Sequence, residues 1–212
     1  MASSGLLSSD QVRHLLAFLG YGNPAGRFWF IGMEEQGAAV SEDFDLELQW
    51  RLSFAQIEDL IPAHGRWVQF KNDEAFDPTK LVRTWSIMSK LVLRLSGSSD
   101  WQSQAAVRDF QAEHLGRTDG ETFLTELLPL PAPSLAHWPY AAYFPARADY
   151  VSQVLPGRLN ELRALFDLHY PELVVCYGKG YWDLHKQLFK PAEFAPKLDR
   201  RVEIATLEHV KK

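Results

Sequence analysis

A chain of 212 residues that is 46% hydrophobic can bury one substantial core and is too short for two large domains. Its single cysteine, Cys176, rules out a disulfide framework and any cysteine-rich zinc or iron–sulfur site, and points to a reducing, cytoplasmic setting. The net charge of −5 argues against a general polyanion binder, but residues 1–140 hold 11 Lys/Arg against 18 Asp/Glu while residues 141–212 hold 11 against 9, which leaves room for a positive face toward the C-terminal part.

The first five residues are polar and do not resemble a signal peptide, and no apolar run approaches the roughly 18 residues of a membrane span. A soluble monomer without a membrane, metal or cofactor partner is expected. Ser9-Asp10 caps a predicted helix over residues 11–18, with Val12, Leu15, Leu16 and Leu19 at helical spacing, and the glycine-rich stretch 20–26 ends it. Phe28-Trp29-Phe30-Ile31-Gly32 then reads as a buried strand that stops at Met33-Glu34-Glu35-Gln36-Gly37, two acids between glycines. Ligands of open α/β sheets sit beyond the carboxyl ends of the strands, so this loop is a site candidate. The competing reading is a solvated turn.

Residues 44–61 space their apolar side chains nearer the helical than the strand period, and Pro62 to Gly65 breaks that pattern. After the Asp77-Pro78-Thr79 turn, residues 80–95 form an amphipathic helix and residues 101–115 another, so a helical insertion spans about 42–118. Phe123 to Leu128 is the second strand, entering a loop stiffened by Pro129, Pro131 and Pro133 with Ser134 behind them. A helix over residues 155–168, a third strand over 171–178, a helix over 181–189 and a short fourth strand over 201–206 complete the chain. Strands alternating with helices predict a single α/β domain over residues 1–212, a three-layer α/β/α sandwich on a central, mainly parallel four-stranded sheet.

Three strand ends carry a resemblance to the uracil-DNA glycosylase superfamily. Gly32-Met33-Glu34-Glu35-Gln36-Gly37 resembles that family's glycine-led first motif, which carries the catalytic acid. Thr125-Glu126-Leu127-Leu128-Pro129-Leu130-Pro131 is similar to its second strand-to-loop motif, where an asparagine usually follows the threonine and reads the base. Val174-Val175-Cys176-Tyr177-Gly178-Lys179 is similar to the strand before its penultimate helix. Three features depart: no His-Pro-Ser loop follows the last strand, only His209; the four cysteines of the iron–sulfur branch are absent; and Glu126 stands in place of asparagine.

The resemblance implies a monofunctional DNA glycosylase acting on DNA that holds the target base. Hydrolysis of an N-glycosidic bond passes through an oxocarbenium-like sugar, which a carboxylate can stabilise while it orients or deprotonates water. Glu34 matches the acid by position, and Glu35 is close enough to exchange with it. Gly32, Met33 and Gly37 shape the loop, and Phe44 is the expected stacking ring for a flipped base, with Trp50 and Tyr140 behind it. Pro131 and Ser134 would press on the DNA backbone, Lys179 suits a phosphate, and His209 could stand in for the missing last-motif histidine.

An ionised Glu126 would accept a hydrogen bond from an exocyclic amine and repel the uracil carbonyl, which points to cytosine. Plain cytosine cannot be removed without destroying the cell's own genome, so a modified, hydroxymethylated or glucosylated cytosine in phage DNA is expected. The alternative is that Glu126 is a protonated or salt-bridged structural residue. His64, His114, His137, His169 and His185 lack metal-ligand spacing and read as surface or packing residues. Uracil excision in repair, a non-catalytic nucleic-acid binder and a nucleoside or nucleotide N-glycosidase are the competing functions.

Overall fold

In the computed structural model, which describes residues 7–37, 41–71, 76–134, 136–190, 192–198 and 202–207, five strands form one sheet. They are β1 (Gly20–Gly22), β2 (Phe28–Gly32), β3 (Ile57–Glu58), β4 (Thr122–Glu126) and β5 (Leu173–Cys176), in the order β3-β1-β4-β2-β5. The pairs β2–β4, β2–β5 and β1–β3 are parallel, and β1–β4 is antiparallel. The class is therefore α/β with a mostly parallel sheet, but of five strands rather than four.

The two additional strands are short and lie where the sequence predicts a loop and a helix. Gly20 and Gly22 adopt φ of +145° and +96°, and their α-carbons approach the Leu124 and Thr122 carbonyls too closely for any β-carbon. Only glycine meets both conditions, so the residues that read as a helix stop are a strand pressed against β4. The predicted fourth strand is corrected as well. Its described part, β7 (Val202–Ile204), pairs with β6 (Ala195–Lys197) in a separate antiparallel hairpin. Val202 and Ile204 stay exposed there, so no buried face draws the segment into the sheet.

Between β2 and β4 the helical pattern over 44–61 divides into α2 (Ser41–Arg51), β3 and α3 (Leu60–Gly65). Pro62 lies in the first turn of α3, where its missing N–H has no partner to lose, so it does not break the helix. The insertion continues through α4 (Trp67–Lys71), α5 (Arg83–Leu95) and α6 (Gln104–Glu113). Ahead of the sheet, α1 (Ser9–Leu16) is capped by Ser8, not Ser9-Asp10: the Ser8 hydroxyl accepts from the Gln11 amide at 3.2 Å and the Gln11 side chain accepts from the Ser8 amide at 2.8 Å. After β4, α7 (Arg147–His169) runs 23 residues through Pro156, and α8 (Trp182–Leu188) follows β5.

Alternation along the central strands divides the core. Phe28, Phe30 and Leu124 face one side, with Trp50, Leu60, Ala63, Met88 and Val92 of α2, α3 and α5. Trp29, Ile31 and Phe123 face the other, with Leu15, Leu155, Leu162, Phe166 and Leu188 of α1, α7 and α8. Each large side chain buried this way contributes about 1.5–3 kcal/mol, which explains why β2 is apolar on both faces. Because β2, β4 and β5 are parallel, their carboxyl ends share one edge, where Gly32 pairs with Glu126. No helix among the described residues is long and apolar enough to cross a membrane.

Candidate active site

The loop that follows β2 is held by its main chain. Leu127 and Leu128 donate to the carbonyls of Gly32 and Met33 at 3.0 and 2.8 Å, Ala132 donates to that of Glu35 at 3.0 Å, and Gly37 donates to that of Ala132 at 3.1 Å. The acidic loop and the proline loop after β4 thus form one stitched rim, and the prolines limit how far it can move. Glu34 and Glu35 leave this rim in different company.

Glu35 meets Arg51 of α2 at 2.5 Å, and the Tyr21 hydroxyl of β1 donates to the same carboxylate oxygen at 3.4 Å. Arg51, only 6% exposed, also donates through Nε to Glu47 at 3.1 Å, so it sits between two carboxylates. Burial pushes the Glu35 carboxyl up, but Arg51, His64 and the Tyr21 hydrogen bond outweigh it and leave it below the ordinary glutamate value. Glu34, 10% exposed at its side chain, pairs through Oε1 with Arg147 at the start of α7, while its buried Oε2 has no hydrogen-bond partner. Burial outweighs Arg147, so its carboxyl is raised. Arg147 itself lies over the Trp138 ring at 5.7 Å.

Glu126, at the carboxyl end of β4, lies directly over Gly32, where any β-carbon would overlap its Oε2. The Tyr177 hydroxyl donates to Oε1 at 2.6 Å and Oε2 is unpartnered. Burial, joined by the nearby charges of Glu35 and Glu34, pushes this carboxyl up to about 8 against the pull of Tyr177 and Arg158. Three neighbouring carboxyls are therefore held in different states: one anion, one raised, one neutral at physiological pH.

All three line one cleft of about 760 Å³, together with Tyr177 and Arg158. Its far wall comes from the insertion and is aromatic. His64 stands among Tyr21, Trp50, Phe76 and Trp85 with ring centroids 5.0–5.9 Å away, and Trp67 packs on Trp50 at 5.2 Å. His64 Nδ1 lies 2.8 Å from the Leu60 carbonyl and therefore carries a proton, and burial lowers the ring's pKa against the pull of Glu35.

The structure thus brings Glu34, Glu35, Gly37 and Glu126 together at one cleft, with Gly32 beneath Glu126. It places other expected residues elsewhere. Phe44 packs edge-on against Tyr140 at 5.2 Å and does not line the cleft, whose lining rings include Trp50, Trp67, Trp85 and Tyr177. Met33 turns into the core. Pro131 is buried, its carbonyl accepting from Tyr140 at 2.9 Å, so it braces the rim and is not a surface contact for DNA. Ser134 is exposed in a bridge with His137. The Lys179 side chain and His209 lie outside the described residues.

His64, Tyr21, Arg51, Arg158 and Tyr177 of the cleft lining, and Arg147 behind Glu34, are among the residues that sequence reasoning missed. Only Tyr177, one position before the glycine that ends the third strand motif, and Arg51, four residues after Glu47, left a local signal. Cys176 is partly buried, and that burial pushes its thiol up to about 12, away from the thiolate that a nucleophile needs. Among the described residues no group of His, Cys, Asp and Glu is arranged to hold a metal ion. Among known proteins, no family model, no curated protein and no solved structure matches the chain.

Proposed function

We propose that the chain is a DNA glycosylase that hydrolyses the N-glycosidic bond of a flipped-out pyrimidine and leaves an abasic site. The observation that carries this reading is the convergence of Glu34, Glu35 and Glu126, from two paired strand ends, on one aromatic-walled cleft with their charges held in different states. Pushing neighbouring carboxyls apart in this way is how an acid–base site assigns its roles. Glu35 is the fixed anion that stabilises the oxocarbenium-like sugar. Glu34, with a free Oε2, takes the proton of the attacking water. The new bond joins that water's oxygen to the anomeric carbon, and the electron pair of the broken C–N bond leaves with the base.

The resemblance to the uracil-DNA glycosylase superfamily supports the same reading, since its three motif-like segments end at a common sheet edge. A three-layer α/β/α sandwich is the architecture that goes with this reading, and core residues on both sides of the central strands support it. A cleft of about 760 Å³ falls in the range of about 300–1,000 Å³ that holds drug-sized ligands, and leaves space beyond a bare pyrimidine. That surplus favours a bulky 5-substituted cytosine, hydroxymethylated or glucosylated, of the kind found in phage DNA, and with it a cytoplasmic defence role. Glu34, Glu35, Asp43 and Glu47 against two arginines in the lining disfavour a buried phosphate, so on this reading the DNA backbone stays outside the cleft.

Duplexes carrying uracil, cytosine, 5-hydroxymethylcytosine or its glucoside, treated with the protein and then with alkali, decide the reading. Strand scission at the modified cytosines is expected; scission at uracil alone assigns the site to repair, and none with any duplex removes the glycosylase reading. The same acid-rich lining favours a second reading, a free nucleoside N-glycosidase, for which only unpolymerised nucleosides would be cut.

A further inference from the structure

The wall that the insertion contributes to the cleft carries a ring nitrogen that the fold leaves free. His64, on α3, stands among Tyr21, Trp50, Phe76 and Trp85, and the Trp50 indole is itself fixed by donating to the Ala63 carbonyl at 2.9 Å. On one side of the imidazole, Nδ1 donates to the Leu60 carbonyl at 2.8 Å. On the other, Nε2 has no hydrogen-bond partner among the described residues and is not shielded from solvent, in a side chain that lines the cleft. Burial lowers the ring's pKa against the pull of Glu35. Above that pKa the single ring proton is the one on Nδ1, so Nε2 offers a lone pair.

This lone pair stands across from the acids. Tyr21 spans the gap, its hydroxyl donating to Glu35 at 3.4 Å while its ring centroid lies 5.4 Å from that of His64. In a pyrimidine nucleotide whose anomeric carbon meets Glu34 and Glu35, the edge with the amine and the 5-substituent is the part of the base farthest from the bond to the sugar. With the Glu126 carboxyl pushed up to about 8, the carboxylate expected from the sequence to accept from the base is not formed at neutral pH.

We infer that His64 Nε2 accepts a hydrogen bond from a hydroxyl on the 5-substituent of the flipped base, and so selects a hydroxylated base over one that carries a plain methyl group. The inference rests on the glycosylase reading and deepens it. The hydroxyl belongs to a hydroxymethyl group or to a sugar attached to it. A methyl group in the same place displaces water from Nε2 and leaves the nitrogen unpaired, which lowers kcat/KM roughly 10- to 100-fold relative to the hydroxylated base. His64 acts away from the bond that breaks, so its effect falls on discrimination between bases.

The test uses the full chain and duplexes with a single 5-methylcytosine, 5-hydroxymethylcytosine or its glucoside, compared by kcat/KM for base release. Wild type should favour one or both hydroxylated bases roughly 10- to 100-fold, and the duplex that leads tells a hydroxymethyl hydroxyl from a sugar hydroxyl. His64→Phe keeps an aromatic ring in the wall without the nitrogen and should bring that ratio close to one. His64→Gln keeps an acceptor oxygen and should restore part of the preference, which a merely structural role would not do. A binding measurement on wild type needs neither variant to fold. Fluorine at the 2′ carbon of the target nucleotide slows cleavage by destabilising the oxocarbenium-like sugar. In protein labelled with nitrogen-15 histidine, an unprotonated Nε2 resonance should then move with a hydroxylated duplex and stay in place with the methylated one. Equal rates on methylated and hydroxylated bases in wild type, a preference that survives His64→Phe, a folded His64→Phe that loses all three bases alike, or an Nε2 resonance that no duplex moves overturns the role of His64. Release of uracil alone also overturns that role and leaves a glycosylase. No base release from any of these duplexes or from one with uracil overturns the role together with the glycosylase reading.

Discussion

Glu35 and Glu34 are adjacent in sequence, yet their surroundings give them opposite tendencies. Arg51 and Tyr21 keep Glu35 ionised, and burial with a single partner raises Glu34. Replacing either by Gln should lower kcat by roughly a hundredfold or more, measured by single-turnover base release, because each removes a charge or proton acceptor needed only as the bond breaks. The pH profile should show an acid limb that lies above the ordinary glutamate value of 4.5 and is set by Glu34.

The stability of the fold carries the signature of Glu126. Below pH 4.5 Glu126 is protonated whether folded or unfolded; between 4.5 and about 8 the unfolded chain releases the proton and the folded chain keeps it, so folding weakens as pH rises and the loss is complete above about 8. Glu126→Gln removes that loss. Its advantage over wild type in urea unfolding should therefore grow from acid to alkaline pH, by at most about 5 kcal/mol at about 1.4 kcal/mol per pKa unit.

At the scale of elements, the site depends on strand ends that helices hold in register. The stretch of α7 from Arg147 to Arg158 links the partner of Glu34 to the clamp on the Glu126 and Leu19 carbonyls, and Pro156 lies within it. A proline inside a helix removes one main-chain hydrogen bond and crowds the carbonyl four residues earlier. Pro156 is exposed, so Pro156→Ala opens no cavity and should stabilise the protein by about 1–3 kcal/mol in chemical unfolding. The hydrophobic pattern over 155–168 showed the inner face of this helix, but not its first two turns, whose Tyr150, Val151 and Val154 follow directly on a proline-rich stretch that reads as loop. Likewise, three residues of β1 and two of β3 are too few to show a period.

For the molecule as a whole, the glycosylase reading has to accommodate an acidic cleft in a chain of net charge −5. On that reading the carboxylates of the lining repel phosphates, and the DNA backbone would rest on cations outside the cleft while the base enters it. Retention on an immobilised duplex should accordingly fall with salt, log K decreasing linearly with log salt by about 0.9 per phosphate contacted, and only a few phosphates should be counted. A protein that takes free nucleosides would show no retention at any salt concentration.

The residues alone determined the parts that depend on local order: the apolar run of β2, the acid loop at its end, the amphipathic period of α5, and the alternation of strands and helices that places three special loops at one edge. Those features follow from side-chain period and turn chemistry, which neighbours in sequence express. Only the tertiary structure decided which aromatic rings wall the cleft, that Arg51 pairs with Glu35 and Arg147 with Glu34, and that Glu126 is pressed over Gly32. These are contacts between segments up to 113 residues apart. The charge state of each carboxyl is set by burial and by those distant partners, so it becomes visible only once the chain has folded.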